Sequence, residues 1–209
     1  SLACGQSFCG TTGYTTIVTS QSEVDALAGC TDFLGNLTLD GNQITNLDSV
    51  INLESIEGEL YIQNLNSLMD LPFYNLQSVF KLQIQQSVID KMLFPSLQSV
   101  ATHLDIHSCY LDSLNFESLS SVGSNASNST LQIYGNGDYN GYSGYFSLHT
   151  FNDLVNVPRI QLENNFGGSM GLLTLGGFNS LNTIQHDLQV TNNASLTNCC
   201  TLLDMAASV

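Results

Sequence analysis

Apolar and polar residues alternate in a short frame that recurs seven times along the chain. Each copy has two aliphatic residues separated by a single residue. The copies begin at Leu37, Leu60, Leu82, Leu104, Leu131, Ile160 and Leu188. Their starts lie 23, 22, 22, 27, 29 and 28 residues apart. A repeat of this length indicates a solenoid of stacked rungs, in which each rung buries its inner face against the next.

Each early rung contains two apolar sequence patterns, which we call marks, and the frame described above is the first of them. Since successive side chains of a strand point to opposite faces, the aliphatic pair of each frame should face a core and its neighbours should face solvent. A second mark, Leu-x-Ser-Ile/Val, occurs at residues 53–56, 76–79, 97–100 and 119–122. We interpret the two marks as two parallel ladders, with Leu47, Leu71, Met92 and Leu114 on a third side. The predicted fold is mostly β, a right-handed parallel β-solenoid of about seven rungs.

The start of the chain predicts a cap for the solenoid. The first 13 residues are rich in Gly, Ser and Cys and are interpreted as irregular. The β-branched run Tyr14–Thr19 predicts a strand. Ser20 and Glu23 have capping-box spacing and predict the start of a short helix. Because an uncapped rung would expose its core, we assign residues 1–35 to an N-terminal cap. Residues 36–209 are assigned to the repeats and a C-terminal cap, within one domain.

Composition restricts the partners and the compartment. Three Lys and Arg against 18 Asp and Glu give a formal charge of −15, which disfavours nucleic acid and anionic membranes as partners. No apolar run reaches the roughly 18 residues of a membrane span, so we expect no membrane insertion. Six cysteines and a surface rich in Asn, Gln, Ser and Thr favour an extracellular or cell-surface location.

Asn-x-Ser/Thr sequons offer candidate glycosylation sites. Four are present, at Asn36, Asn125, Asn128 and Asn193, and each would accept a glycan in a secreted eukaryotic protein. A chain so rich in Asn, Ser and Thr also forms such triplets by chance. Both interpretations stay open at the level of sequence.

The sequence resembles the receptor L domain, a leucine-rich-repeat-like module of insulin-receptor and epidermal-growth-factor-receptor ectodomains and of microbial surface proteins. The resemblance covers nearly the whole chain. It depends on the stretch from Cys9 to Cys30, on Gly35–Leu39 and on the Leu-x-Ser-Ile/Val marks. It implies a disulfide between Cys9 and Cys30 and a ligand surface on the outward sheet. The chain departs from the family in its long insertions in rungs five and six, in the adjacent Cys199 and Cys200, and in having no receptor stalk or kinase part.

The remaining cysteines are predicted to play different roles. Cys109 occupies the frame position that Asn fills in rungs one, five, six and seven. A side chain there should point inward, so we expect a buried, reduced thiol. Cys4, Cys199 and Cys200 are then an odd remainder. Two interpretations stay open, a vicinal bond between Cys199 and Cys200 or bonds to another chain.

The outward positions of the frames predict a polar grid, which is our candidate ligand-binding surface. Its candidate binding residues are Tyr61, Lys81, Gln83, His103, Asp105, His107, Gln132, Tyr134, Arg159, Gln161, Glu163 and Gln189. Tyr139 and Tyr142 are added from a glycine-rich aromatic loop, where exposed rings would suit a sugar or protein partner. The alternatives are that the polar side chains only solvate the sheet and bond to each other, and that the loop aromatics cover the edge of the core.

Two constellations resemble metal sites only weakly. His103, Asp105 and His107 alternate on one strand, so neighbouring side chains project roughly 7 Å apart. That spacing is too wide for ligands about 2 Å from one ion. Residues 136–141 match the start of a calcium loop, but Ser147 stands where the loop requires Glu. We therefore predict no metal and no cofactor.

Catalytic motifs give no support for an enzyme. No nucleophile elbow, zinc-protease helix, phosphate loop or dinucleotide fingerprint occurs in the sequence. Carboxylates on adjacent rungs could support glycoside hydrolysis, and the candidate pairs are Asp40 with Glu59 and Glu163 with Asp187. We keep this as a minor alternative and predict that the protein is not an enzyme.

Two functional hypotheses follow. The first is a secreted or surface recognition module that binds a protein or glycan through the polar grid and the edge loops. The alternative is a structural subunit of an extracellular filament or matrix, a homo-oligomer stacked through its solenoid ends. The odd cysteine set near both ends of the chain motivates the second hypothesis.

Overall fold

The computed structural model describes residues 7–123, 128–139, 142–143, 146–148, 150–167, 170–175 and 177–197. These residues form a mostly β structure, a parallel β-solenoid of about seven turns. The predicted solenoid is therefore confirmed. One α-helix and one 3-10 helix interrupt the strands near the N-terminal end.

The strands are short and follow one another around each turn. Helix α1 spans Gln21–Asp25 and the 3-10 helix spans Asp48–Val50. In chain order the strands are β1 (Phe8–Val18), β2 (Asp32–Asp40), β3 (Ser55–Gln63), β4 (Asp70–Pro72), β5 (Ser78–Gln85), β6 (Val88–Leu93), β7 (Ser99–Val100), β8 (Leu104–His107), β9 (Tyr110–Asn115), β10 (Ser121–Val122), β11 (Leu131–Tyr134), β12 (Asp138–Tyr139), β13 (Tyr142–Ser143), β14 (Phe146–Leu148), β15 (Asn156–Glu163), β16 (Phe166–Gly167), β17 (Met170–Leu175) and β18 (Thr183–Thr191).

The main sheet contains both apolar marks of each rung. Its ten strands are joined in the order β1-β2-β3-β5-β7-β10-β15-β11-β8, with β18 on β15 and a further pairing of β5 with β8. Strand β5 pairs with β7 through Ser78 and Val79, and with β8 through residues 82–85. The Leu-x-Ser-Ile/Val mark forms a parallel ladder of its own, in which Ser78, Ser99 and Ser121 are paired in succession. Strands that contain both marks, such as β5, join this ladder to that of the frame in one sheet. In β3 a register shift between Ile56 and Glu59 separates the two marks while the strand continues.

A separate parallel sheet contains three of the four residues that we assigned to a third side. The fourth, Leu47, is buried immediately before the 3-10 helix and is not part of this sheet. The sheet consists of β4, β6 and β9. Leu71 pairs with Met92, and Met92 pairs with Leu114, so the three side chains form one inward column. All three are buried.

The core is a stack of identical positions. Leu60, Leu82, Leu104 and Leu131 are aligned by successive strand pairs, and each is completely buried. The column continues to Leu37 at one end and to Ile160 at the other. Burial of each such side chain contributes about 1.5–3 kcal/mol, and these contributions recur at every rung.

A ladder of phenylalanine rings also fills the interior. Its members are Phe73, Phe94, Phe116, Phe151 and Phe178. Successive ring centroids lie 5.1, 5.1, 5.6 and 5.3 Å apart, with interplanar angles from 2° to 26°. The sequence signal for this ladder is a repeated Phe-x-x-Leu pattern. In the marks at residues 76–79, 97–100 and 119–122, the Leu of this pattern is the first residue of the mark. We did not predict this ladder from the sequence.

Each strand of the frame ends in a left-handed turn residue. Gly41 and Gly135 take this position in two rungs, and the other rungs use non-glycine residues. Those residues, with φ between 50° and 57°, are Asn64, Gln86, Ser108, Asn164 and Asn192. A left-handed non-glycine residue costs roughly 1–2 kcal/mol. In rungs two to six the residue that follows this turn is buried; these residues are Leu65, Ser87, Cys109, Asn136 and Asn165.

Inward asparagines satisfy the backbone of these turns in the later rungs. The Asn136 side chain accepts a hydrogen bond from the Cys109 N–H at 3.0 Å and donates to the Ile106 carbonyl at 2.9 Å. Asn165 repeats this pattern one rung later. Asn42 does not, because it is exposed. The expectation of an inward side chain at rung one is therefore wrong, and Asn42 instead accepts from the Asn66 N–H from outside the turn.

The strand and the short helix predicted near the N-terminal end are both present, although the strand begins earlier. Helix α1 starts after Ser20, whose backbone N–H donates to the Glu23 carboxylate at 3.0 Å. Val24 of this helix is completely buried and covers the core. Strand β1 starts at Phe8, so the first 13 residues are not irregular throughout. The disulfide implied by the family resemblance, between Cys9 and Cys30, is confirmed.

Candidate ligand-binding face

The outward side chains of the main sheet form two aligned columns, which we call the polar face. The central column is Thr38, Tyr61, Gln83, Asp105, Gln132, Gln161 and Gln189. The turn-side column is Asp40, Gln63, Gln85, His107, Tyr134, Glu163 and Thr191. The predicted grid is thus present. Its glutamine column is interrupted by Asp105, which lies between Gln83 and Gln132.

The N-terminal rows of the polar face are joined by hydrogen bonds between side chains. Lys81 forms an ion pair with Glu59 at 2.8 Å and donates to Gln83 at 3.0 Å. Gln63 accepts from the Tyr61 hydroxyl at 2.7 Å. It also accepts from Gln85 and donates to Asp40. These rows are therefore largely satisfied within the protein, as the solvated-sheet alternative expected.

The C-terminal rows contain one comparable amide pair. Gln161 donates to Gln189 at 2.8 Å, across neighbouring strands. Arg159 lies opposite Asp187 in the same pair of strands. Its Nε atom is buried and has no hydrogen-bond partner within the described ranges. Glu163 follows in the turn-side column, between Tyr134 and Thr191.

Asp105 differs from every other member of the central column. Its Oδ1 atom is buried and has no hydrogen-bond partner among the residues described. Burial raises the pKa of Asp105 to about 6, against an opposing effect of the Lys81 charge. A buried acceptor without a partner costs about 1–3 kcal/mol. The centre of the polar face therefore holds a carboxylate whose environment does not satisfy it.

Two histidines flank this carboxylate along its own strand. Burial lowers the pKa of His103, with a further contribution from Lys81 and an opposing one from Glu59. Burial also lowers the pKa of His107. The His107 ring stacks on the Tyr134 ring, with centroids 4.5 Å apart and 13° between the planes. Both imidazoles are consequently neutral at pH 7 and can donate or accept hydrogen bonds.

Metal-binding and catalytic alternatives gain nothing from this geometry. No group of three potential metal-ligating side chains converges in the part of the chain that the structure describes. Asn136, the first position of the calcium-loop match, is buried and hydrogen-bonded inside the turn. The carboxylates of the first candidate pair are not opposed, because Asp40 faces Gln63 and Glu59 faces Lys81.

The loop tyrosines lie on a short antiparallel pair. Strands β12 and β13 place Tyr139 opposite Tyr142. The roles proposed for their side chains concern atoms that the structure does not describe. Cys4, Cys199, Cys200 and Asn125 also lie outside the described residues.

The described sequons differ in how their asparagines are used. Asn36 accepts from the Glu59 N–H at 2.8 Å and donates to Thr15 at 3.1 Å. Asn193 donates to the Leu162 carbonyl at 2.7 Å and accepts from the Asn165 N–H. Asn128 is exposed. Among these three, Asn128 is the site where a glycan would least disturb the fold.

The expected buried thiol is confirmed at Cys109. It is free and completely buried. Its Sγ donates weakly to the His107 carbonyl at 3.3 Å. Burial raises the pKa of this thiol to about 12, so it is not reactive in the folded protein.

Two open clefts lie on the turns and not on the polar face. One, of about 460 Å³, is lined by residues 45–48, Ile51, residues 67–70, Pro72 and Tyr74. The other, of about 660 Å³, is lined by Asn164 and residues 192–194.

Within the described ranges, no helix has the length and apolar character needed to cross a bilayer. Comparisons of the chain with family models, curated proteins and solved structures gave no match.

Proposed function

We propose that the chain is an extracellular or cell-surface recognition module that binds a protein or glycan through its polar face. The resemblance to the receptor L domain motivates this function. The Cys9–Cys30 disulfide supports an oxidising compartment. The formal charge of −15 weighs against nucleic acid as the partner.

The observation that carries the proposal is the unsatisfied carboxylate of Asp105. Neighbouring polar side chains such as Gln63 and Lys81 are hydrogen-bonded within the protein, whereas Asp105 Oδ1 has no partner among the described residues. A buried acceptor without a partner in a native structure requires an explanation. A ligand that supplies an O–H or N–H group to the centre of the face provides one. Hydroxyl groups of glycans and amides of proteins both meet this requirement.

Binding to arrays of defined oligosaccharides and of purified extracellular proteins tests the proposal. We expect wild-type protein to bind a restricted set of array members. Replacing Tyr134 or Gln161 by Ala, or Asp105 by Asn, should remove that binding while the protein still folds. The matched control is Asp112→Asn, an exposed carboxylate on strand β9, which should bind like wild type. Equal binding by all these variants would refute the assignment of the polar face.

The alternative of a filament joined through both solenoid ends stays a hypothesis. It requires a contact surface at the C-terminal end, where residues 198–209 lie outside the described structure. Non-reducing and reducing gels of native material test it, because a covalent ladder that collapses on reduction would favour assembly through Cys4, Cys199 and Cys200. A single band at the 22.6 kDa monomer mass under both conditions would count against it.

A further inference from the structure

Strand β1 is an open edge of the main sheet. It lies at one end of the sheet and pairs only with β2 in the part of the chain that is described. In this sheet the backbone N–H groups of core-facing residues donate hydrogen bonds to the strand of the next rung. Leu82 donates in this way to the His103 carbonyl, and Leu104 to the Thr130 carbonyl. Outward-facing residues alternate with the core-facing ones, and their backbone N–H and C=O groups bond to the strand of the preceding rung.

The same alternation applies to β1. Thr16 and Val18 align with the core positions Leu37 and Leu39, so they bond to β2. Thr15 and Ile17 align with outward positions and direct their N–H and C=O groups away from the sheet. Thr19 is the next residue in this alternation, and its backbone N–H donates to the Glu23 carboxylate at 2.7 Å. The cap therefore satisfies one edge group and leaves those of Thr15 and Ile17 open.

The edge lacks most of the devices that usually protect such strands. Natural sheets discourage edge pairing with charged residues, proline, bulges or a covering segment. Residues 8–18 contain no charged residue and no proline. Phe8, Tyr14 and Ile17 are 62%, 71% and 59% exposed, so α1 does not cover them. A register shift between Gly10 and Thr15 is present and divides the strand into residues 8–10 and 15–18, of which the second part contains Thr15 and Ile17.

We propose that this edge pairs with the β1 strand of a second copy of the chain, to form a two-fold dimer. Each copy carries a formal charge of −15, so contact between most other surfaces brings like charges together. The β1 edge contains no ionisable carboxylate of its own and avoids this repulsion. It is also self-complementary, because antiparallel strands related by a two-fold axis exchange both N–H···O bonds at each hydrogen-bonded pair, and Thr15 and Ile17 provide such positions.

Pre-organisation favours this contact, and its size limits the affinity. The Cys9–Cys30 disulfide and the pairing with β2 hold β1 extended before association, which lowers the ordering cost of binding. The part of β1 with open backbone groups, residues 15–18, is about 13 Å long, and an edge contact of this length is small relative to a standard interface. We therefore expect a reversible dimer that dissociates on dilution.

The dimer has a geometric consequence for the polar face. A two-fold axis normal to the sheet joins the two main sheets edge to edge with the same faces on the same side. Both polar faces would then be presented together, which would raise avidity for a repetitive ligand. The dimer itself does not depend on the polar face being a ligand site.

Sedimentation velocity of the full chain at a series of concentrations tests the dimer. We expect the mass to rise with concentration from 22.6 kDa to twice that value. Ile17→Lys places a charge at the centre of the open edge and should keep the protein monomeric at every concentration. Tyr14→Lys, at a second exposed position of the edge, should weaken the dimer and covers the case in which Ile17→Lys does not fold.

The matched control is Met69→Lys. Met69 is 72% exposed and lies next to strand β4, away from the sheet edge, so this variant adds the same charge and should dimerise like wild type. Circular dichroism confirms that each variant is folded. A wild-type protein that stays monomeric overturns the proposal, as does a dimer that persists in both edge variants. A dimer that is covalent on a non-reducing gel also overturns it.

Discussion

Replacing Asp105 by Asn should stabilise the folded protein at neutral pH. The carboxylate lies between Gln83 and Gln132 in the central column, and its Oδ1 atom has no partner among the described residues. Asparagine has nearly the same shape and carries no charge. Its amide can exchange hydrogen bonds with the two neighbouring glutamines, so the substitution removes the cost of a poorly solvated charge.

The size and sign of the effect follow from the pKa of Asp105. Its folded value is raised to about 6, against about 3.9 in an unfolded chain. This difference corresponds to a ceiling of roughly 3 kcal/mol, which we reduce to about 1–2 kcal/mol because the side chain is partly exposed and screened by solvent. The raised folded pKa means that the folded state binds the proton more tightly. The associated stability is fully present below about pH 4 and is lost as the pH rises through about 6.

Urea unfolding of wild type and Asp105→Asn at pH about 4 and about 7.5 measures this difference. We expect the variant to be more stable by about 1–2 kcal/mol at the higher pH and equal at the lower pH. Comparing the two proteins isolates Asp105 from His103 and His107, whose lowered pKa values act in the opposite direction. Asp112→Asn should show neither effect. A variant that is less stable than wild type at pH about 7.5, or a gain that does not change with pH, would refute the reasoning.

Three further predictions concern the interior and the turns. Phe116→Ala should lower the free energy of unfolding by about 3–5 kcal/mol, measured by urea titration, because its ring is fully buried and stacked on both sides. Gln86→Gly should raise it by about 1 kcal/mol, since Gln86 has a φ of 50°, whereas Gln83→Gly within a strand should lower it. A thiol reagent should titrate equal numbers of groups in native wild type and native Cys109→Ala, and one fewer in the variant only after denaturation, because Cys109 is completely buried.

The frame and the N-terminal cap were predictable because their signals are local. The alternation of Leu104 and Ile106 with polar residues fixes which side chains face inward, and the spacing of Ser20 and Glu23 fixes where α1 begins. That the two ladders share one sheet was not predictable in the same way. Periodicity does not show whether a strand continues between the two marks, and in β3 it continues through a bulge in which residues 57 and 58 oppose a single residue of β5.

The sequence predicted which side chains lie on the polar face, but it did not predict their hydrogen-bond and ion-pair partners. Outward positions such as Gln83 and Gln161 follow from the frame by alternation alone. The frame aligns Glu59 with Lys81, but whether these two side chains form an ion pair depends on their rotamers, which the sequence does not define. The same limit applies to the sequon at Asn36, whose side-chain amide forms hydrogen bonds to residues of both neighbouring strands.

The interior and the polar face differ in how far the repeat determines their residues. Inside the solenoid each rung meets a copy of the same environment, so stacking favours repetition of one residue type, as in the phenylalanine ladder and in Asn136 with Asn165. On the polar face the same stacking would favour an unbroken glutamine column. Asp105 breaks that column at a cost to stability, and His107 and Tyr134 lie beside it. Because solenoid geometry alone does not explain an unsatisfied carboxylate at this rung, the residues around Asp105 are where a ligand requirement is to be sought first.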